Sequence, residues 1–300
     1  GSVFNYKDKP GIAHFIEHML FLGSKKYPDS KYYQSFIESN GGYSNAYTST
    51  ENTVYYFSIN GSKFNEALDI FAQFFIEPLF NKKYVKSEVE NINSEHEKNK
   101  NQDMWRINEL GKKFFDKNNP LSKFFTGNYK TLLNNGTNKD VDELFNCLIK
   151  FHFNYYCSNN MKLFIINNKN NKNFKDYLKK TFNLIKKNNH IVKMINDTNL
   201  LNNKKKNKIL YGLYNPINNI EYLYINFLIN LNININEKKL NENISFNIIN
   251  KILLATYSNS LIDFLIKKNM CKDLTTDYNY NIKKNTSIYI IQLELTENGT

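Results

Sequence analysis

The sequence contains few of the residues that mark secreted or membrane proteins. Its three cysteines, Cys147, Cys157 and Cys271, are odd in number and form no Cys-x-x-Cys pair. This pattern argues against a disulfide framework and favours a reducing intracellular compartment, the cytoplasm or an organelle, without fixing which. No uncharged apolar run is long enough to cross a bilayer, so we expect no membrane span.

Acidic residues are outnumbered as well: 28 Asp and Glu stand against 40 Lys and Arg, and the formal net charge is +12. Such a balance can indicate a nucleic-acid partner. The lysines, however, occur in scattered runs such as 204–206, and neither an arginine-rich helix nor a nucleic-acid motif accompanies them. We interpret them as solvated surface and expect no nucleic acid to bind, with a basic nucleic-acid module kept as an outside alternative.

The rest of the composition is typical of a folded protein. With 41% hydrophobic and 15% aromatic residues, the 300 residues suffice for one large or two medium domains. Strand-like and helix-like patterns occur in both halves, which predicts the α+β class. The predicted strands include 162–166 and 209–214. The polar segment 197–208, rich in Asn and Lys and without periodicity, predicts a linker.

The clearest motif is His14-Phe15-Ile16-Glu17-His18, within a predicted apolar helix over 12–22. Residues four apart share a helix face, so His14 and His18 can point two imidazoles at one metal ion, with Glu17 beside them. A chance match in a helix with two core histidines is the alternative interpretation. The apolar neighbours favour a metal, because burying these polar groups without a partner would cost a few kcal/mol.

The run Gly11–Ser24 resembles the signature of insulysin and pitrilysin-type peptidases, the inverzincins of peptidase family M16. The resemblance is to the N-terminal portion of proteins similar to insulin-degrading enzyme. The resemblance implies a Zn²⁺ cofactor and a third ligand on a distant helix. Glu95, in a segment similar to that of the family, lies at the family's separation from His18. The resemblance also implies that Glu88 supports a ligating histidine. The alternative is that Glu88 is an ordinary solvated residue of its helix.

Further segments carry the same likeness. The segment 44–48 resembles the edge strand on which the family lays its peptide substrate, and an interior strand is the alternative. The resemblance implies that Ser44, Asn45, Ala46 and Tyr47 bind the substrate. Trp105-Arg106 and the segment 122–128 also resemble the family, and we interpret them as structural parts near the site.

The implied fold is a mixed sheet flanked by helices, as in the LuxS/metallohydrolase-like domain of M16 peptidases, followed by part of a second similar domain. We therefore expect a zinc-bearing domain over 1–196 with abbreviated N-terminal strands, a linker over 197–208, and a partial second domain over 209–300.

The implied function is zinc-dependent endopeptidase activity on peptides and small proteins, with Glu17 as general base for the attacking water. Insulysin-like enzymes complete the site with a C-terminal half of the same protein. Because that half is not in this sequence, we expect the isolated chain to be weakly active or inactive. An organellar processing peptidase for transit peptides and a non-catalytic scaffold subunit of the same superfamily are the alternatives.

Overall fold

The structure is a computed structural model that describes residues 1–168, 172–188, 201, 209–218, 220–230, 245–283 and 286–300. The chain forms two compact units, Gly1–Leu210 and Tyr211–Thr300. The predicted linker 197–208 lies outside the described residues except for position 201, so the predicted domain boundaries stay predictions. Among the described residues, no helix combines the length and the apolarity that crossing a bilayer requires.

The central element of the first unit is helix α1, Ile12–Leu20. Gly11 caps its N-terminus in the left-handed conformation, with a φ of 99° that favours glycine. Ile12, Phe15 and Ile16 are fully buried, as are the apolar residues of the following turn. A helix that is apolar on nearly all sides is stable only inside a protein, and each large side chain buried here contributes about 1.5–3 kcal/mol.

The described residues of this unit contain seven further α-helices, and the core that they form surrounds α1. Val85, Val89 and Ile92 repeat at helical spacing and form the buried face of α4. A capping box between Thr137 and Asp140 begins α7. The helices are α2 Tyr32–Ser39, α3 Phe64–Ile76, α4 Val85–Lys100, α5 Asp103–Lys112, α6 Tyr129–Leu133, α7 Asn138–Tyr155 and α8 Lys172–Phe182.

Two strands of the first unit pack beside α1. Strand β1, Tyr43–Thr48, pairs antiparallel with β2, Thr53–Ser58, in a two-stranded sheet. Their residues are rich in Tyr, Thr and Val, which favour strands. Within the described part of the chain, β1 has β2 as its strand neighbour on one side and no strand on the other.

The second unit contains a three-stranded antiparallel sheet in the order β3-β5-β4. Its small core consists of Ile262, Cys271, Leu274 and Leu293. The elements are β3 Tyr222–Asn230, helix α9 over 245–253, α10 Leu261–Lys267, β4 Cys271–Lys283 and β5 Thr286–Leu295.

The α+β class is confirmed, with two differences in detail. The described strands pair antiparallel, so the parallel pairing of a mixed sheet is not among them. The strands predicted at 162–166 and 209–214 were wrong: both segments are irregular, and Phe164 and Ile209 are 85% and 94% exposed. A short apolar run makes a strand only where a neighbouring strand completes the hydrogen bonds, and neither segment has one among the described residues.

Candidate metal centre

Three potential metal ligands converge at the surface of α1. The Nε2 atoms of His14 and His18 lie 3.3 Å apart. The carboxylate of Glu95, from the middle of α4, lies 3.4 Å from His14 Nε2 and 3.6 Å from His18 Nε2. The ligand atoms of all three side chains are within 4.8 Å of one another. Two imidazoles and one carboxylate are a donor set that suits Zn²⁺ and leaves a coordination position for water or substrate.

The outer ring nitrogens of both histidines have acceptors, which leaves the inner nitrogens without a proton. His14 Nδ1 lies 2.8 Å from the carbonyl oxygen of Thr126, and His18 Nδ1 lies 3.3 Å from Glu88 Oε2. Both partners only accept, so each Nδ1 carries the proton and donates it. Each Nε2 therefore presents a lone pair to the shared point, as a metal-binding histidine requires.

The carbonyl of Thr126 is held in place by a close approach of two glycines. Gly127, with a φ of 80°, lies against Gly11 at the start of α1. A Cβ atom on Gly11 would lie 2.3 Å from the Cα of Gly127, so no larger residue fits without moving the backbone. This contact fastens the loop to the turn that precedes His14.

Charge and burial shape the protonation of the site in the absence of metal. Burial, and then the neighbouring His18, lower the pKa of His14. Burial also acts to lower the pKa of His18, but the hydrogen bond with Glu88 and the charges of Glu88 and Glu95 outweigh it and raise that pKa. Burial acts to raise the pKa of Glu88, but the hydrogen bonds from His18 and Asn91 outweigh it, so the Glu88 carboxylate stays ionised.

Glu17 is adjacent to this centre but outside the group of converging ligands. Glu17 is only 7% exposed. Burial raises the pKa of its carboxyl group, although the hydrogen bond from Thr48 opposes the rise. Thr48 Oγ1 donates to Glu17 Oε2 over 2.5 Å. A carboxylate beside the ligands with a raised pKa suits a proton acceptor rather than a ligand.

A cleft of about 490 Å³ opens onto the centre. Of the predicted substrate strand, Asn45, Ala46 and Tyr47 line the cleft. Ser44 does not: it is buried, and its hydroxyl donates to Gln34 Oε1 over 3.0 Å. The other lining residues are His14, Glu17, His18, Phe21, Leu22, Thr48, Glu88, Glu95, Asn99, Trp105, Phe125 and Thr126.

Two residues of the centre were missed by sequence reasoning. Thr126 lies in the family-like segment 122–128, which we interpreted as structural, and its contribution is a backbone carbonyl that any residue could supply. Thr48 ends the segment 44–48 that resembles the family's substrate strand, but its hydrogen bond to Glu17 was not predicted. Its place in that segment is its only sequence signal.

Comparison with known sequences gives the family. The family profile described as "Peptidase M16 inactive domain" matches residues 145–298, slightly more than half of the chain. The chain belongs to peptidase family M16. A second profile, "Insulinase (Peptidase family M16)", matches residues 1–118, which include the three converging ligands. The resemblance drawn from Gly11–Ser24 is thereby confirmed.

Relatives and solved structures agree with this membership in M16. The A-factor-processing enzyme of Saccharomyces cerevisiae is 33% identical over 303 residues, which cover the whole chain and 28% of that protein. Human insulin-degrading enzyme is 43% identical over 166 residues, 55% of the chain and 16% of the relative. The crystal structure of pitrilysin matches the whole chain with a TM-score of 0.78 at 24% identity, which shows the fold. The match covers 31% of the pitrilysin chain. The chain thus spans less than a third of the length of each of these proteins.

Proposed function

We propose that this chain is the metal-bearing part of a zinc-dependent endopeptidase. The observation that carries the proposal is the convergence of two imidazole nitrogens and a carboxylate beside Glu17, a buried carboxylate outside the ligand group, in an open cleft. Membership in a family of peptidases supports it.

His14, His18 and Glu95 would hold the zinc ion, because their nitrogen and oxygen donors match its preferences and both Nε2 lone pairs face one point. A bound zinc ion supplies a Lewis acid that acidifies water and polarises a peptide carbonyl. With two neutral imidazoles and one carboxylate, the protein leaves the site with a net positive charge when it is loaded.

Glu17 acts as the general base in this proposal. Its Oε2 atom is engaged by Thr48, so Oε1 is the atom that takes the proton from the attacking water and passes it to the leaving amide nitrogen. Burial raises the pKa of the Glu17 carboxyl, which brings it nearer to the working pH and makes both transfers easier.

The free edge of β1 would bind the substrate. Asn45, Ala46 and Tyr47 run along the cleft, and an extended peptide can add to such an edge through its backbone. The names of the relatives, an A-factor-processing enzyme and insulin-degrading enzymes, support peptides as the substrate class. Since those relatives are much longer, the rest of such a protein would close the cleft, and the chain alone is expected to be weakly active.

The alternatives rest on weaker ground. A non-catalytic scaffold requires the loss of a ligand or of the base, and here His14, Glu17, His18 and Glu95 are all present and close together. Nothing in the structure favours transit peptides over other peptides. The compartment and the expectation that no nucleic acid binds stay predictions from composition.

The test combines metal content with peptide turnover in matched variants. Glu95→Gln should lose most of the metal, whereas Glu97→Gln, a change at an exposed residue of the same helix, should keep it. Glu17→Gln should keep the metal and lower turnover at least about 100-fold. A well-folded chain that binds no zinc, or a Glu17→Gln variant with normal turnover, would refute the proposal.

A further inference from the structure

A line of hydroxyl groups leads from Glu17 into the protein. Thr48 Oγ1 lies 2.5 Å from Glu17 Oε2, and Thr53 Oγ1 lies 3.2 Å from Thr48 Oγ1. The two threonines are directly opposite each other at the end of the β1–β2 pair. The register of this hairpin therefore places a second hydroxyl behind the one that contacts the carboxylate.

A pair of tyrosines lies near Thr53. The hydroxyl of Tyr156 lies 2.8 Å from the hydroxyl of Tyr55. Thr53 and Tyr55 are two positions apart on β2 and share a face, whereas Tyr156 follows the last residue of α7. We call the two threonine hydroxyls, Thr53 and Thr48, the hydroxyl chain, because they lead in sequence to the Glu17 carboxylate.

The direction of the hydrogen bonds follows from counting protons. Each hydroxyl donates one proton, and an ionised carboxylate only accepts. Thr48 therefore donates to Glu17, and Thr53 donates to Thr48. Each of the two threonine hydroxyls then donates once towards the carboxylate, an arrangement in which neighbouring bonds strengthen one another.

The contacts of Thr48 show why this arrangement orients Glu17. Its hydroxyl also lies 3.3 Å from the carbonyl of Ala13, but its contact with Glu17 is much shorter. With Thr53 donating from behind, the single proton of Thr48 is directed at Oε2. The carboxylate is thereby held by one oxygen, and the other is left for water.

We propose that the hydroxyl chain positions the general base, with Thr48 as the residue that fixes the Glu17 carboxylate and Thr53 as the residue that fixes Thr48. This inference rests on the proposed role of Glu17 as the base. The two threonines act through Glu17, so they are positioning residues.

The first test removes the hydroxyl of Thr48 and then restores it. Thr48→Val is expected to lower kcat for peptide hydrolysis about 10- to 100-fold, the effect of losing one hydrogen bond to a charged group, with little change in KM. Thr48→Ser keeps the hydroxyl and should stay within about threefold of the natural protein, because the bond is kept. Zinc content should be unchanged in both. Thr181→Val is the matched control, since Thr181 is a buried threonine whose hydroxyl bonds to the backbone of Tyr177.

Two further measurements separate positioning from general damage. In a Glu17→Gln background, Thr48→Val should cause no additional loss, because the base is already absent. A crystal structure of Thr48→Val should show the Glu17 carboxylate rotated from its place in the natural protein, a readout that does not depend on activity.

The results distinguish the two proposals. Normal kcat in Thr48→Val together with an inactive Glu17→Gln would overturn the positioning role alone, as would an unmoved Glu17 carboxylate in the variant structure. Full activity in Glu17→Gln would overturn the proposed function, and the positioning role with it.

Discussion

Lowering the pH should destabilise this protein through one histidine, His152, which has a buried ring nitrogen and is not part of the metal centre. The ring of His152 lies between Phe80, in an edge-to-face contact at 5.0 Å, and Tyr156, in a stacked contact at 5.4 Å. Its Nε2 atom is buried without a hydrogen-bond partner among the described residues. Burial, and then the charge of Lys186, lower the pKa of His152 from 6.5 to about 4.

The sign and the size of the effect follow from this shift. Between pH 6.5 and 4 the unfolded chain binds a proton at His152 that the folded chain does not, so stability falls as the pH falls through this window. Above pH 6.5 the His152 ring is neutral in the folded and the unfolded chain, so it no longer makes the stability depend on pH. The full loss below pH 4 is about 3 kcal/mol, and at pH 5 it is about 2 kcal/mol.

The measurement is urea-induced unfolding at pH 7.5 and pH 5, followed by the fluorescence of the single tryptophan, Trp105, which lies in the first unit. His152→Phe keeps an aromatic ring in the same place and removes the titration. The variant should lose about 2 kcal/mol less than the natural protein between the two pH values. Other titrating groups are the same in both proteins and cancel in the comparison. An equal loss in the two proteins would refute the reasoning.

Two further outcomes concern the metal centre. Glu88→Gln should weaken zinc binding about 10- to 100-fold, because the neutral amide orients the ligating histidine less well. Competition with a chelator measures the zinc affinity, and Glu90→Gln is the control on the same helix. Equal zinc affinity in the two variants would contradict the prediction. Gly127→Ala should lower the free energy of unfolding by about 1–3 kcal/mol, because its φ is 80° and the new Cβ would lie 2.9 Å from the Cα of Gly11. Gly111→Ala, in α5 with open space around it, should be neutral or stabilising; a harmless Gly127→Ala would show that the glycine contact is dispensable.

The local part of the centre was predictable from the sequence for a simple reason. The spacing of His14 and His18 is set by the helix itself, so the placement of two imidazoles on one face needs no tertiary information. Glu95 has no such local link to them, and only the resemblance to a family pointed to it. The structure brings these three side chains together, and their role as zinc ligands stays a prediction until metal is measured.

The remaining parts depend on contacts that residue identity does not encode. The acceptor for His14 is a carbonyl, which every residue carries, and its position depends on how a distant loop packs. The hydroxyl chain depends on strand register, which sets Thr48 opposite Thr53. The two wrong strand predictions have the same origin. The apolar residues at 162–166 and 209–214 favour strand conformation, but a strand also needs a partner strand, which the local sequence does not determine.

The contact between Gly11 and Gly127 joins parts of the polypeptide that the ribosome makes at different times. When His14 and His18 emerge, the carbonyl that fixes the His14 ring has not yet been translated. Chains begin to fold from the N-terminal side while synthesis continues, so the two histidines are exposed for a period without their final orientation. The His14 ring can reach its final orientation only after the segment around Gly127 has been made. Any metal site that uses this ring depends in the same way on the progress of translation.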